Sequence, residues 1–238
     1  QLQIAPGVQV VFGTLYGNYQ HKLPEPLFSY ERFFTNNIEN GLQFLINTEN
    51  LHSDIWVDWE QFIFEEDTLQ EHFTFGLSSH YSIYKKENGW ELKIPFQIIA
   101  NHRGGQINKS NKNVETLVNL ASGLESSIHF NKHLLRSIDL RTNIFLFKNN
   151  SLTPETLYKR GYAIYPNIVI KTKRIFLHFG YWHGEKFYAQ KGEPLFWSIS
   201  KKEPTLSEPS RKLLTLKVFY KKKMFKHIYL GTGFESYY

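Results

Sequence analysis

The amino-acid sequence predicts an all-β fold, an antiparallel up-and-down transmembrane β-barrel. Three observations lead there. Apolar and polar residues alternate with period two over runs longer than a soluble strand needs. Short connections alternate along the chain with mostly longer ones. The polar side of each run mixes charges with small residues, as a polar barrel interior does.

Strands are expected at 8–17, at 40–47 and at 54–64, "DIWVDWEQFIF". In that third stretch Ile55, Val57, Trp59 and Ile63 share one face, and Asp54, Trp56, Asp58 and Glu60 the other, because successive strand side chains point to opposite sides. Over 72–84, Phe73, Phe75, Leu77, Tyr81 and Ile83 alternate with His72, Thr74, Gly76, Ser78, His80 and Ser82. After "KKENG", 89–100 sets Trp90, Leu92, Ile94, Phe96 and Ile98 against Glu91, Lys93 and Gln97, a face that Asn101 and Arg103 continue. Residues 114–130 fit both a strand and a helix face, and the neighbouring strands decide for a strand. Strands at 134–147, 160–171, 175–183, 211–220 and 224–236 bring the expected number to about eleven.

Tight turns fall near 48–53, 85–89, 131–133, 171–174 and 221–223, and the longer loops near 18–39, 65–71, 101–113, 148–160 and 184–210. Single-chain bacterial barrels have an even number of strands, so residues 1–238 are expected to form a single barrel domain that is incomplete at one or both ends. The complete protein would have about 12–16 strands.

Composition narrows the function classes. Twenty Phe, fourteen Tyr and five Trp favour strands. The absence of Cys excludes disulfides and thiolate metal sites. The net charge of +6 is spread between acids, which describes a solvated surface and not a nucleic-acid partner. No run reaches the ~18–20 apolar residues of a membrane helix. No start Met or signal-peptide pattern opens the chain, so it is read as beginning after a removed leader or as an internal piece.

Runs of ~9–12 residues match tilted strands crossing a hydrocarbon layer, and aromatics gather near strand ends in "SYERFF", "YSIY", "FGYW" and "ESYY" as an interfacial girdle would. Val57, Trp59, Phe75, Leu77, Leu92 and Ile94 are therefore expected to face lipid, and Asp58, Glu60, His80, Glu91, Lys93, Arg103, Arg141, His178 and His227 the lumen. A soluble β-sandwich or lipocalin-like barrel with an apolar interior stays open as the alternative.

The segments "IENGLQF", "DIWVDWEQFIF", "NHRGGQI", "GYAIYP", "GYWHGEKFYAQKGEPLF" and "GTGFESYY" resemble uncharacterised outer-membrane β-barrel proteins of Bacteroidota-type bacteria. The resemblance implies a bacterial outer-membrane location, a cleaved signal peptide and further strands before and after the matching region. It implies no reaction or ligand.

Asp58 and Glu60 lie about 7 Å apart along one strand face. Catalysis would need a cleft and divergent acidities, so lumenal ion pairs with Lys93, Arg103 or Arg141 are expected instead. The ten His form no local metal motif. A cross-strand His178 and His227 pair and calcium at "EED" (65–67) remain open, and no metal or cofactor is expected. "HRGG" (102–105) reads as a turn with positive φ, with an anion nest as the alternative. The loop around 184–200 is expected to fold into or over the lumen.

No catalytic residue is assigned. The expected function is a non-enzymatic narrow channel or side-chain-closed barrel for small solutes. The alternative is an accessory subunit of a larger outer-membrane assembly. A third reading is a lipid- or sugar-modifying enzyme using Asp58, Glu60 or His residues. Expected partners are outer-membrane lipids and other outer-membrane proteins.

Overall fold

The computed structural model describes residues 1–86, 89–105, 109–130, 134–152, 156–203 and 205–238. Twelve strands, β1 (Leu2–Ala5), β2 (Val8–Thr14), β3 (Asn40–Asn47), β4 (Leu51–Gln61), β5 (His72–Lys85), β6 (Trp90–Arg103), β7 (Glu115–His129), β8 (Leu135–Asn149), β9 (Arg160–Thr172), β10 (Ile175–Glu185), β11 (Ser210–Lys223) and β12 (Tyr229–Tyr237), pair in chain order in one antiparallel sheet. The all-β up-and-down architecture is thus as the alternation predicts. Among the described residues no pairing joins β12 to β1, and the sheet is not closed.

Several boundaries differ from the sequence reading: β2 ends at Thr14 and not at 17, β11 runs through the expected 221–223 turn to Lys223, and β12 begins at Tyr229 and not at 224. The strand not anticipated is β1, only four residues long, too short to display a period. The third expected strand lies at Leu51–Gln61 and not at 54–64. It ends early because the Asp67 carboxylate accepts the Phe64 N–H at 2.8 Å and turns the chain. The segment 114–130 is a strand over Glu115–His129. His133 lies outside the described residues.

The connections sort by length onto the two ends of the sheet. Segments 6–7, 48–50, 86–89, 130–134, 173–174 and 224–228 join strands at one end, and 15–39, 62–71, 104–114, 150–159 and 186–209 at the other. The two longest, 15–39 and 186–209, fold back onto the inner face. Leu15, Leu23, Leu27 and Phe28 from the first, and Phe187, Ala189 and Phe196 from the second, form one core with Trp56, Ile99, Phe145, Tyr165, Trp182 and Leu213 of the strands. Residues of β4 and of β6 to β11 join these two loops in that core, so the sheet curls around them.

The inner face is therefore apolar around the loops and not only polar. Burying a large side chain there contributes roughly 1.5–3 kcal/mol. Gly76 makes room for one of them. A Cβ at Gly76 would overlap the Trp56 indole on the neighbouring strand. The outer face keeps large apolar side chains exposed from β2 to β12, among them Phe12, Trp59, Ile94, Leu140, Phe179 and Phe234.

Candidate functional site

The loop 15–39 is locked to the wall by a histidine between two acids. His21 is fully buried and stacks on Trp56 with ring centroids 3.6 Å apart. Its Nδ1 donates to Asp54 at 2.8 Å and its Nε2 to Glu39 at 2.7 Å. Burial alone would lower the His21 pKa, but the hydrogen bonds and charges of Asp54 and Glu39 outweigh it and hold it above its ordinary value. With both nitrogens engaged, the ring has no lone pair left to act as a base. This cluster is structural.

A second cluster sits at the long-loop end, where β4 leaves the sheet. Strand alternation puts Asp58 inward, buried, and Trp59 outward, 46 % exposed. The register between β4 and β5 then slips. Trp59 pairs with Phe73 and Gln61 with His72, so Glu60 is an extra residue with no partner on β5. Such a bulge bends the strand and re-aims a side chain, and bulges recur beside active sites.

The bulge turns Glu60 toward three groups. Its Oε1 accepts from Thr74 Oγ1 at 2.5 Å and also takes the Lys191 ammonium, while its Oε2 lies 3.7 Å from His72 Nδ1. The other ring nitrogen of His72, Nε2, is buried and has no hydrogen-bond partner among the described residues. Asp58 Oδ1 accepts the Asn40 N–H at 2.9 Å. Ile38, Asn40, Asp58, Trp59, Glu60 and His72 line a cleft of about 270 Å³. Phe62 and Phe64, both exposed, continue the apolar surface beyond Trp59.

Lys191 reaches this cluster from the loop 186–209. Burial, opposed by the Glu60 charge, holds its ammonium below the usual lysine pKa. The arrangement joins a histidine, an acid that faces it and a buried cation beside an apolar rim. A histidine oriented by a carboxylate can take a proton from water and return it to a leaving oxygen.

The other sequence-predicted residues lie elsewhere. His80, Lys93, Arg141 and His178 line an internal chamber of about 710 Å³ beneath the loop 15–39. Glu91 pairs with Lys93 at 2.7 Å, Arg103 with Glu115 at 3.6 Å and Arg141 with Asp139 at 3.2 Å. The expected pairing of Asp58 and Glu60 with Lys93, Arg103 or Arg141 is thus corrected. Each of these cations has an acid on its own or the adjacent strand, and Glu60 takes a loop lysine.

His227 lies exposed in the 224–228 turn and not on a strand, while His178 pairs in register with Lys217, so the two histidines do not meet. Among the described residues no group of three or more His, Cys, Asp or Glu could hold a metal ion. Gly104 has φ +111° and the His102 ring binds its carbonyl at 2.9 Å, which is the turn reading of "HRGG". Val57, Phe75, Leu77 and Leu92 are half-exposed, and Ile94 and Trp59 more so.

Sequence reasoning missed the roles of His72, Lys191 and His21. The available signals were the buried-looking lysine inside the aromatic loop "KFYAQKGEPLF" and the His72 that opens β5.

A family model described as lipid A 3'-O-deacylase-type matches residues 1–238. No curated protein matches the chain, and no solved structure does. The family is one of enzymes, which overturns the expectation of a non-enzymatic channel or side-chain-closed barrel, and with it the expectation of no enzymatic activity. Nothing supports the accessory-subunit alternative better. The match fits a Bacteroidota-type protein.

Proposed function

The chain belongs to the lipid A 3'-O-deacylase-type family, and we propose that it hydrolyses an acyl ester of lipid A at the cleft beside Trp59. The family match along the whole chain carries the reaction class. The pairing of His72 with Glu60 at the bulge favours this cleft as the place.

In this reading the twelve-stranded sheet lies in the bacterial outer membrane. Val57, Trp59, Phe75, Leu77, Leu92 and Ile94 face lipid, and the long-loop end faces outward. A continuous apolar outer surface on this scale is unusual for a protein in water. Lipid A presents its acyl chains in the outer leaflet. The exposed Trp59, Phe62 and Phe64 would lie against those chains and bring an ester to the cleft.

The steps follow from the residues. His72 takes a proton from water held in the cleft that it lines as the water oxygen bonds to the ester carbonyl carbon. Glu60 orients the ring and stabilises the imidazolium. The tetrahedral intermediate then collapses, the bond from carbonyl carbon to sugar oxygen breaks, and His72 returns the proton to that oxygen. The products are a free fatty acid and a sugar hydroxyl. Bases placed this way contribute about 10²–10⁴-fold.

The test is mass spectrometry of lipid A from cells producing the protein or its His72→Gln variant. Loss of one acyl chain with the wild type, and about 10²-fold slower loss with the variant, is expected. Unchanged lipid A in cells making folded wild-type protein would overturn the reaction. Equal activity of the variant would overturn the site.

A further inference from the structure

Lys191 has an environment that a surface loop lysine does not have. Its side chain is only 4 % exposed, and burying an ammonium costs several kcal/mol unless it is paired. The loop around it is tied down on both sides. The Ser29 N–H donates to the Lys191 carbonyl at 2.8 Å, the Glu193 N–H to the Glu25 carbonyl at 3.0 Å, and Ser29 Oγ to the Glu193 carboxylate at 2.7 Å. Gly192 packs so closely on the Pro26 backbone that any Cβ would overlap it. The lysine is delivered to one place, and that place is Glu60 Oε1.

Glu60 sits in a bulge with no ladder partner, so its strand pairing does not fix its carboxylate. Thr74 and Lys191 hold Oε1, which leaves Oε2 toward His72. We propose that Lys191 is a positioning residue for the deacylation. It reaches across from the β10–β11 loop, clamps the bulged Glu60 and thereby orients His72. The β4–β5 cleft is complete only when that loop is docked. This rests on the deacylase reading of the cleft.

Kinetic constants of purified variants, assayed on lipid A in detergent micelles, test it. Lys191→Met is expected to lower kcat by up to about 10²-fold, the cost of a misplacement of about 1 Å at reacting groups, with KM changed less than about threefold. Lys191→Arg, which keeps the charge, should recover most of kcat. Lys191→Met leaves Glu60 buried and uncompensated, so a second comparison separates loss of the clamp from loss of the fold. In Glu60→Gln, adding Lys191→Met should leave kcat unchanged, because a clamp acts only through what it holds.

A wild-type kcat in Lys191→Met, or a further tenfold fall when it is added to Glu60→Gln, overturns the inference. The deacylase reading fails by a separate result, no fatty acid released by folded wild-type protein, and the cleft as its place fails by full activity of His72→Gln, so these failures are distinguishable from that of the clamp.

Discussion

Replacing His21 by Phe probes the lock that holds the loop 15–39 inside the sheet. Phe keeps an aromatic ring for Trp56 to stack on, 3.6 Å from centroid to centroid in the native pair. It removes the cation and both hydrogen bonds, to Glu39 at 2.7 Å and Asp54 at 2.8 Å. The two acids are then left with side chains 2 % and 10 % exposed and no countercharge between them. Breaking a buried pair in this way costs on the order of 3–5 kcal/mol.

The loss depends on pH with a definite sign. His21 titrates above its ordinary 6.5, because Asp54 and Glu39 outweigh the lowering by burial. The folded state holds this proton more tightly, so its contribution is complete below pH 6.5 and fades as pH rises through the higher folded value. Glu39 titrates below its ordinary 4.5, burial being outweighed by the His21 hydrogen bond and charge. Its contribution is complete above pH 4.5 and fades as pH falls through the lower folded value.

The deficit of His21→Phe should therefore be largest between these limits, near pH 5.5, and shrink near pH 3.5 as the orphaned Glu39 protonates. Denaturant titration in detergent micelles, followed by tryptophan emission, measures it at both pH values. A variant within about 0.5 kcal/mol of wild type at pH 5.5 would refute the reasoning. So would the same deficit at both pH values.

Two further outcomes test the sheet's faces. Phe75→Arg, on the outer face of β5, is expected to weaken folding into lipid vesicles by about 2–4 kcal/mol if that face meets the hydrocarbon midplane; folding yield in vesicles read by gel mobility checks it, and an unchanged yield would remove the lipid-facing assignment. Gly76→Val puts side-chain carbons where the Trp56 ring lies and should cost about 1–3 kcal/mol by overpacking, visible as a lower melting temperature; an unaltered transition would mean that Trp56 has room to move.

The fold was largely legible in the sequence, because period-two alternation is a local property that each strand carries by itself. "DIWVDWEQFIF" sets Trp56 and Asp58 on one side and Val57 and Trp59 on the other, and the structure buries the first pair while leaving the second partly exposed. The β1 strand was not legible, since four residues hold too little pattern. The candidate site was half legible. Asp58 and Glu60 stand out in any reading, but their partners do not, because Lys191 lies 131 residues from Glu60 and no local rule links them.

The sequence by itself determined the strands other than β1, which residues alternate on their two faces, and the ends at which short and long connections gather, since these follow from side-chain alternation and turn composition. Only the tertiary structure decided that the two longest loops fill the interior, that a one-residue slip in register at Glu60 turns its carboxylate toward His72, and that a buried loop lysine holds it there. A bulge depends on the neighbouring strand and an ion pair depends on where a distant loop lands. Both exist only once the chain has folded.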